Sequence, residues 1–162
     1  MPSTPETDAS ARETDEVVIP ALLRAARGSY GNAIRAQLAE AGFEDIPRNG
    51  AYVLGGMVNH GGSAGGLVRE LGVSKQAASQ LIDTLVLRGY LEREADPEDR
   101  RRVRIAVTER GRAAAAAVRA GVVAIDTELT KLISPAELAG LRAGLTALCD
   151  IREFMEYAAR ND

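Results

Sequence analysis

From Val17 to about Gly42 apolar residues recur close to the helical period at Leu22, Leu23, Ala26, Tyr30, Ile34, Leu38 and Ala41. They predict one long helix, with Gly28 and Gly31 as weak points inside it. The segment FEDIPRN breaks that pattern, and Ala51–Val58 reads as a short apolar helix followed by a loop, Asn59-His60-Gly61-Gly62. Ser63 then caps a third helix that holds Gly65 and Gly66, each costing about 1 kcal/mol relative to alanine, so Leu67, Val68 and Leu71 must anchor it by packing. Gly72 ends that helix and Ser74 restarts the chain as an N-cap. In the helix that follows, Ala77, Ala78, Leu81, Ile82 and Leu85 define a buried face. After Gly89 the period changes from helix to strand. Tyr90–Ala95 and Val103–Val107 read as two strands, Val103, Ile105 and Val107 alternating with Arg104 and Ala106, and Asp96-Pro97 starts the turn between them. Thr108 caps a long alanine-rich helix to about Leu132. Ser134-Pro135-Ala136-Glu137 opens a last one with a capping box and a proline at its first position. Leu138, Leu141, Leu145, Leu148 and Met155 form the stripe of that last helix.

A helix, a tight turn, a second helix and a charged β-hairpin therefore follow one another between Ser63 and Thr108. That order is the layout of a winged helix-turn-helix. The expected fold is mainly α with a small β-hairpin wing (α+β), the winged module lying between N- and C-terminal dimerisation helices. The expected boundaries are a disordered acidic tail at 1–16, an N-terminal helix at 17–46, the winged lobe at 47–107 and C-terminal helices at 108–162. The two apolar terminal segments, 17–42 and 134–158, flank a module too small to bury both, which predicts a homodimer. The outward face of the second helix carries Ser74 at its cap, then Lys75, Gln76, Ser79, Gln80 and Asp83. Small and amide side chains there suit base edges and phosphates of double-stranded DNA, whereas a merely solvated helix would carry more Glu and Lys.

Composition narrows the alternatives. The 162 residues are 46% hydrophobic but only 4% aromatic, without tryptophan, so the core is built from Leu, Val, Ile and Ala. The net charge of −3 is unevenly spread: residues 1–16 carry −4, which leaves +1 for residues 17–162. Arg100, Arg101, Arg102 and Arg104 cluster on the hairpin, and a local basic stripe suffices for DNA under a near-neutral total. No apolar run approaches the roughly 18 residues of a membrane span and no leader is evident, so a cytoplasmic protein is expected. The single cysteine, Cys149, excludes an internal disulfide and a multi-cysteine metal site. The single histidine, His60, has no Cys or clustered carboxylate beside it, so neither metal nor cofactor is expected. There is no phosphate loop after a strand, no HExxH and no nucleophile elbow, and an enzyme is not expected.

Three stretches carry a family resemblance: LVRELGVSKQAASQLIDTLVLRGYLER at Leu67–Arg93, the wing DPEDRRRVRIAVT, and the helix start Thr108-Glu109-Arg110-Gly111. Together they resemble the MarR family of bacterial transcriptional regulators over roughly residues 20–158. The resemblance implies a homodimer in which the first, fifth and sixth helices intertwine. Each subunit would offer its recognition helix to a major groove and its wing to a minor groove. It also implies that Arg101 enters the minor groove and that Asp99 steadies it through a carboxylate–guanidinium pair. Arg100 and Arg102 are expected to meet phosphates or solvent. Members are commonly repressors released by small, often phenolic or lipophilic ligands, and a two-fold dimer predicts an inverted-repeat operator for this chain. Core packing is the expected role of Tyr30 and Tyr52, with lining such a ligand site as the alternative for both. Oxidant-sensing members carry a reactive cysteine near the first helix, and this chain has none there. Cys149, on an apolar stretch beside Leu148, reads as a small buried or interface residue. The rival readings are a winged-helix module used only for protein contacts, or an activator without a ligand. A protein-contact module would place apolar anchors where this chain has Ser, Gln and Lys.

Overall fold

The computed structural model describes residues 18–47, 49–60, 63–95 and 103–161, with the side chains of 59, 60, 67, 69, 70, 152–154 and 156–161 left out. The acidic tail, the Asp96-Pro97 turn, Asp99 and Arg100–Arg102 fall outside the described residues. Among the described residues, six helices and one hairpin follow in order: α1 (Ile19–Glu40), α2 (Gly50–His60), α3 (Ala64–Glu70), α4 (Lys75–Leu87), β1 (Leu91–Ala95), β2 (Val103–Val107), α5 (Glu109–Leu132) and α6 (Pro135–Asn161). The mainly helical class with one two-stranded antiparallel sheet is as the sequence pattern predicts.

Short polar residues start the helices where expected. Ser63 Oγ accepts from the Gly66 amide at 3.1 Å, and Ser74 Oγ from the Ala77 amide at 3.2 Å. Thr108 Oγ1 accepts from the Gly111 amide at 3.0 Å. Each satisfies one amide that the first helical turn leaves without a partner. Gly72, at φ +65°, makes the turn between α3 and α4 through the left-handed region that a Cβ disfavours.

The chain divides into two compact units, one ending at Val123 and the other beginning at Ala124. In the first, α2, α3, α4 and the hairpin pack on one another around a shared core. Val53, Leu54, Val68, Leu85 and Tyr90 are wholly excluded from solvent, together with Ala114 of α5. Leu38 closes the core from α1 and Val118 from α5. The strands register Leu91 with Val107, Arg93 with Ile105 and Ala95 with Val103. In the second unit, Ser134 and Glu137 form the expected reciprocal box: the Ser134 amide donates to Glu137 Oε2 at 2.7 Å, and the Glu137 amide to Ser134 Oγ at 3.3 Å. These bonds from the Ser134 hydroxyl and amide hold the Glu137 carboxyl below its usual range.

Four local expectations are corrected. The helix expected over Ala51–Val58 runs from Gly50 to His60, so Asn59 and His60 close α2 rather than starting a loop. Ala77 is exposed while Ala78, Leu81, Ile82 and Leu85 turn inward, because at 3.6 residues per turn Ala77 lies about 90° round the helix from the middle of that stripe. Val103 is exposed, since it pairs with Ala95 at the end of the hairpin remote from the root, where Leu91 is buried opposite Val107. Cys149 is exposed within the chain, as are its stripe neighbours Leu145 and Leu148, which removes burial in the subunit's own core as its role and leaves the interface reading.

Candidate nucleic-acid interface

Helix α4 presents one polar face. Ser74, Lys75, Gln76, Ser79 and Gln80 are all exposed, while Leu85 on the opposite side is wholly buried. The face is kept outward because Ala78, Leu81 and Ile82 pack against the core at helical spacing. Lys75, Gln76, Ser79 and Gln80 lie within the first six residues of α4, and Ser74 caps it, so all five sequence candidates on this helix share its N-terminal end. An ammonium, two amides and two hydroxyls make an array that can donate to phosphate and pair with base edges. Asp83 belongs to the same helix but faces a partner within the chain: Arg93 of β1 donates to its carboxylate. That ion pair joins the helix to the wing.

The hairpin beside α4 is steadied across its strands. Glu94 and Arg104 are register partners, and their side chains meet at 2.6 Å as an exposed ion pair, a contact of modest energy in water. Arg112 Nη1 donates to the Val107 carbonyl at 2.7 Å where β2 gives way to α5. Between the C-terminal end of α2 and this strand face runs an open groove of about 460 Å³, bordered by Met57, Val58, Glu92, Glu94, Arg104 and Arg112. Neither Tyr30 nor Tyr52 borders it. Tyr30 is half-buried in α1, and Tyr52 is exposed on α2, which removes core packing as its role.

Sequence reasoning missed a second polar cluster at the other end of α4. Tyr90, buried at the root of β1, donates its hydroxyl to Asp45 Oδ1 in the α1–α2 linker. Arg110 Nη2, in the first turn of α5, donates to the same Asp45 oxygen at 3.1 Å and to the Tyr90 hydroxyl at 3.0 Å. The Arg110 guanidinium also lies 4.6 Å from the Tyr90 ring centroid and 5.5 Å from that of Phe43. Arg88, which ends α4, donates to the Asp45 carbonyl. The Tyr90 hydrogen bond, aided by the Arg110 and Arg88 charges, lowers the Asp45 carboxyl below its ordinary value. Burial, with the Asp45 hydrogen bond, raises the Tyr90 phenol. Thr108 completes the arrangement, its hydroxyl lying 2.6 Å from the Gly89 carbonyl and 3.1 Å from that of Tyr90. The one residue whose space explains the Thr-x-x-Gly helix start is Gly111. A Cβ there would lie 2.7 Å from Val107 Cγ1 and strike the Tyr90 carbonyl.

Among the described residues no group of His, Cys, Asp and Glu is arranged to hold a metal ion, and no helix is long and apolar enough to cross a membrane.

Comparison with known proteins places this geometry. Residues 44–102 match the sequence profile of the MarR family. No curated protein sequence matches the chain. Solved structures similar in fold include a Staphylococcus aureus MepR–DNA complex, 21% identical, with a TM-score of 0.66 over 83% of this chain and 98% of that one. Reduced MarR from Escherichia coli is 24% identical, with a TM-score of 0.60 over 82% and 96%. Bordetella bronchiseptica BpsR, whose DNA binding is regulated by 6-hydroxynicotinic acid, is 22% identical, with a TM-score of 0.61 over 82% and 94%.

Proposed function

We propose, starting from a winged-helix lobe of the MarR family, that this chain is a sequence-specific DNA-binding transcriptional regulator. The observation that carries the reading is the outward face of α4: Ser74, Lys75, Gln76, Ser79 and Gln80 stand together on a helix braced by a buried core and flanked by an antiparallel hairpin. In this reading Gln76 and Gln80, one helical turn apart, read adjacent base pairs in the major groove. Ser74, Lys75 and Ser79 hold the helix on the phosphates. Arg101 enters the neighbouring minor groove from the wing, steadied by Asp99, with Arg100 and Arg102 on the backbone. The MepR–DNA complex, which shares the fold, supports this use of the module.

The finer reading is a homodimer that represses from an inverted-repeat operator and leaves it on binding a small ligand. Two recognition helices related by a two-fold axis would meet half-sites ~10 base pairs apart. The regulation of BpsR by a small aromatic acid supports ligand control on this fold. The test is selection of genomic fragments by the purified protein, followed by affinity measurements on the selected and a scrambled duplex. A recurrent inverted repeat bound far more tightly than its scrambled version is the expected result. Equal affinity for both would overturn the reading.

A further inference from the structure

The polar cluster around Asp45 lies at the end of α4 that DNA would not reach in the reading above, on which this inference rests. Lys75 to Gln80 occupy the N-terminal end of the helix, and Arg88 ends it. With 13 residues, α4 is a rod of about 20 Å, so tilting it a few degrees about the Arg88 end would move the base-reading end by about 1 Å. What fixes the Arg88 end is therefore as consequential for base reading as the residues that touch bases.

Four separate segments meet there. Asp45 comes from the α1–α2 linker, Arg88 from the end of α4, Tyr90 from the root of β1 and Arg110 from the first turn of α5. Asp45 is the residue all the others address. Its carboxylate accepts from Tyr90 and Arg110, and its carbonyl accepts from Arg88. The geometry is over-determined on the aromatic side as well. Phe43 meets Tyr90 edge-on, ring centroids 6.1 Å apart at 67°, and Arg110 covers both rings. Tyr90 is wholly buried, so its hydroxyl has one direction in which to point.

We propose that Asp45 is a positioning residue for DNA recognition: the Asp45–Tyr90–Arg110–Arg88 joint sets the angle at which α4 and the wing root leave the long helices α1 and α5. It contributes no DNA contact. It governs specificity by aiming residues that do, and it does so through a charged joint where a purely apolar one would allow several packings.

The test uses the full-length protein with Asp45→Ala, Asp45→Asn, Tyr90→Phe and the Asp45→Ala/Tyr90→Phe double variant, on the selected and the scrambled duplex across a salt series. Asp45→Ala and Tyr90→Phe should each lower affinity for the selected duplex about tenfold while leaving scrambled-DNA affinity and salt slope unchanged. The double variant should lose little more than either single one, because both break one joint. Asp45→Asn keeps an acceptor for the Tyr90 hydroxyl and should recover part of the loss. A role in stability alone would lower the melting temperature and leave the selected-to-scrambled ratio at the wild-type value in the folded fraction. That outcome overturns the joint. Should Asp45→Ala fail to fold, Tyr90→Phe, which keeps the buried ring, decides alone. Wild-type protein with no preference between the duplexes would overturn the DNA reading itself, and so is distinct from a failure of the joint.

Discussion

Gly121 of α5 lies directly against the backbone of Ile34 in α1: a Cβ at Gly121 would sit 2.6 Å from Ile34 Cα and 2.8 Å from its nitrogen. The two helices cross at a point where only hydrogen fits, and the obstacle is main chain that cannot rotate away. Gly121→Ala should therefore destabilise the protein by about 3 kcal/mol, the upper range for overpacking, despite alanine's better helix propensity. Thermal melts of this variant, beside Gly140→Ala on open α6 surface as a control, check it. A stabilising Gly121→Ala would remove the crossing.

The Asp45–Tyr90 pair should mark both ends of the pH–stability curve. The Asp45 carboxyl is held below its ordinary value, first by the Tyr90 hydrogen bond. Its contribution is complete above the unfolded carboxylate range near 3.9 and is lost as pH falls through the lower folded value. Tyr90 is raised, chiefly by burial, so its contribution is complete below about 10 and is lost as pH rises through the higher folded value. Tyr90→Phe should flatten the alkaline fall, and Asp45→Asn the acid one, in denaturant titrations run across pH.

Arg93 is held by Asp83 on the side of the lobe that carries the recognition face. Asp83→Ala would release that guanidinium and remove a negative charge near the phosphates. Affinity for unrelated DNA should rise, and the salt dependence should steepen by about one charge per subunit. Asp83→Ala/Arg93→Ala should return the slope to near the wild-type value. A salt titration on a scrambled duplex reads both.

Helix and wing should divide the work. Gln76→Ala or Gln80→Ala should relax base choice at one position, costing about 1–3 kcal/mol on the preferred duplex and little elsewhere. Arg101→Ala should weaken binding to selected and unrelated duplexes alike and flatten the salt slope by about one charge per subunit. Unchanged binding by Arg101→Ala on both would remove the wing from the mechanism.

Each unit also exposes an apolar stripe: Val18, Ile19, Leu22 and Leu23 at the start of α1, and Leu141, Leu145, Leu148, Ile151 and Met155 along α6. Such stripes are the signature of an interface with another chain. Sedimentation at micromolar concentration should give a dimer for the wild type, and Leu145→Glu/Leu148→Glu should shift it toward monomer with loss of DNA binding. A wild-type monomer would refute the dimer.

What was legible in the sequence is what neighbours in the chain decide. Ser74 caps α4 and Ser134 boxes with Glu137 because those bonds span three residues. The strand Val103–Val107 and the end of α5 at Leu132 fall where the periodicity places them. Exposure within a face was less legible. Ala77 and Val103 fit the apolar pattern yet stand in solvent, since a periodicity shows which side of an element is apolar and says nothing of where the core ends. The Asp45 joint was not legible. Asp45 and Tyr90 are 45 residues apart, and Asp45 and Arg110 are 65 apart; each alone reads as a loop acid, a strand aromatic or a surface arginine. The available hint was Tyr90 itself, a buried aromatic with a polar tip that needs a partner.

Those separations also dictate an order of assembly. During synthesis Asp45 leaves the ribosome first, and its carboxylate waits through the turn, α4 and both strands before Arg110 exists to meet it. A lobe made only as far as β2 already holds Tyr90 and Arg88 but lacks the cation that closes the ring, so its late-closing long-range contact depends on the first turn of α5. A chain stopped at Val107 would lack Ala114 and Val118 of the core as well as Arg110, so the mutual angles of its helices would lock only once the first turns of α5 have emerged.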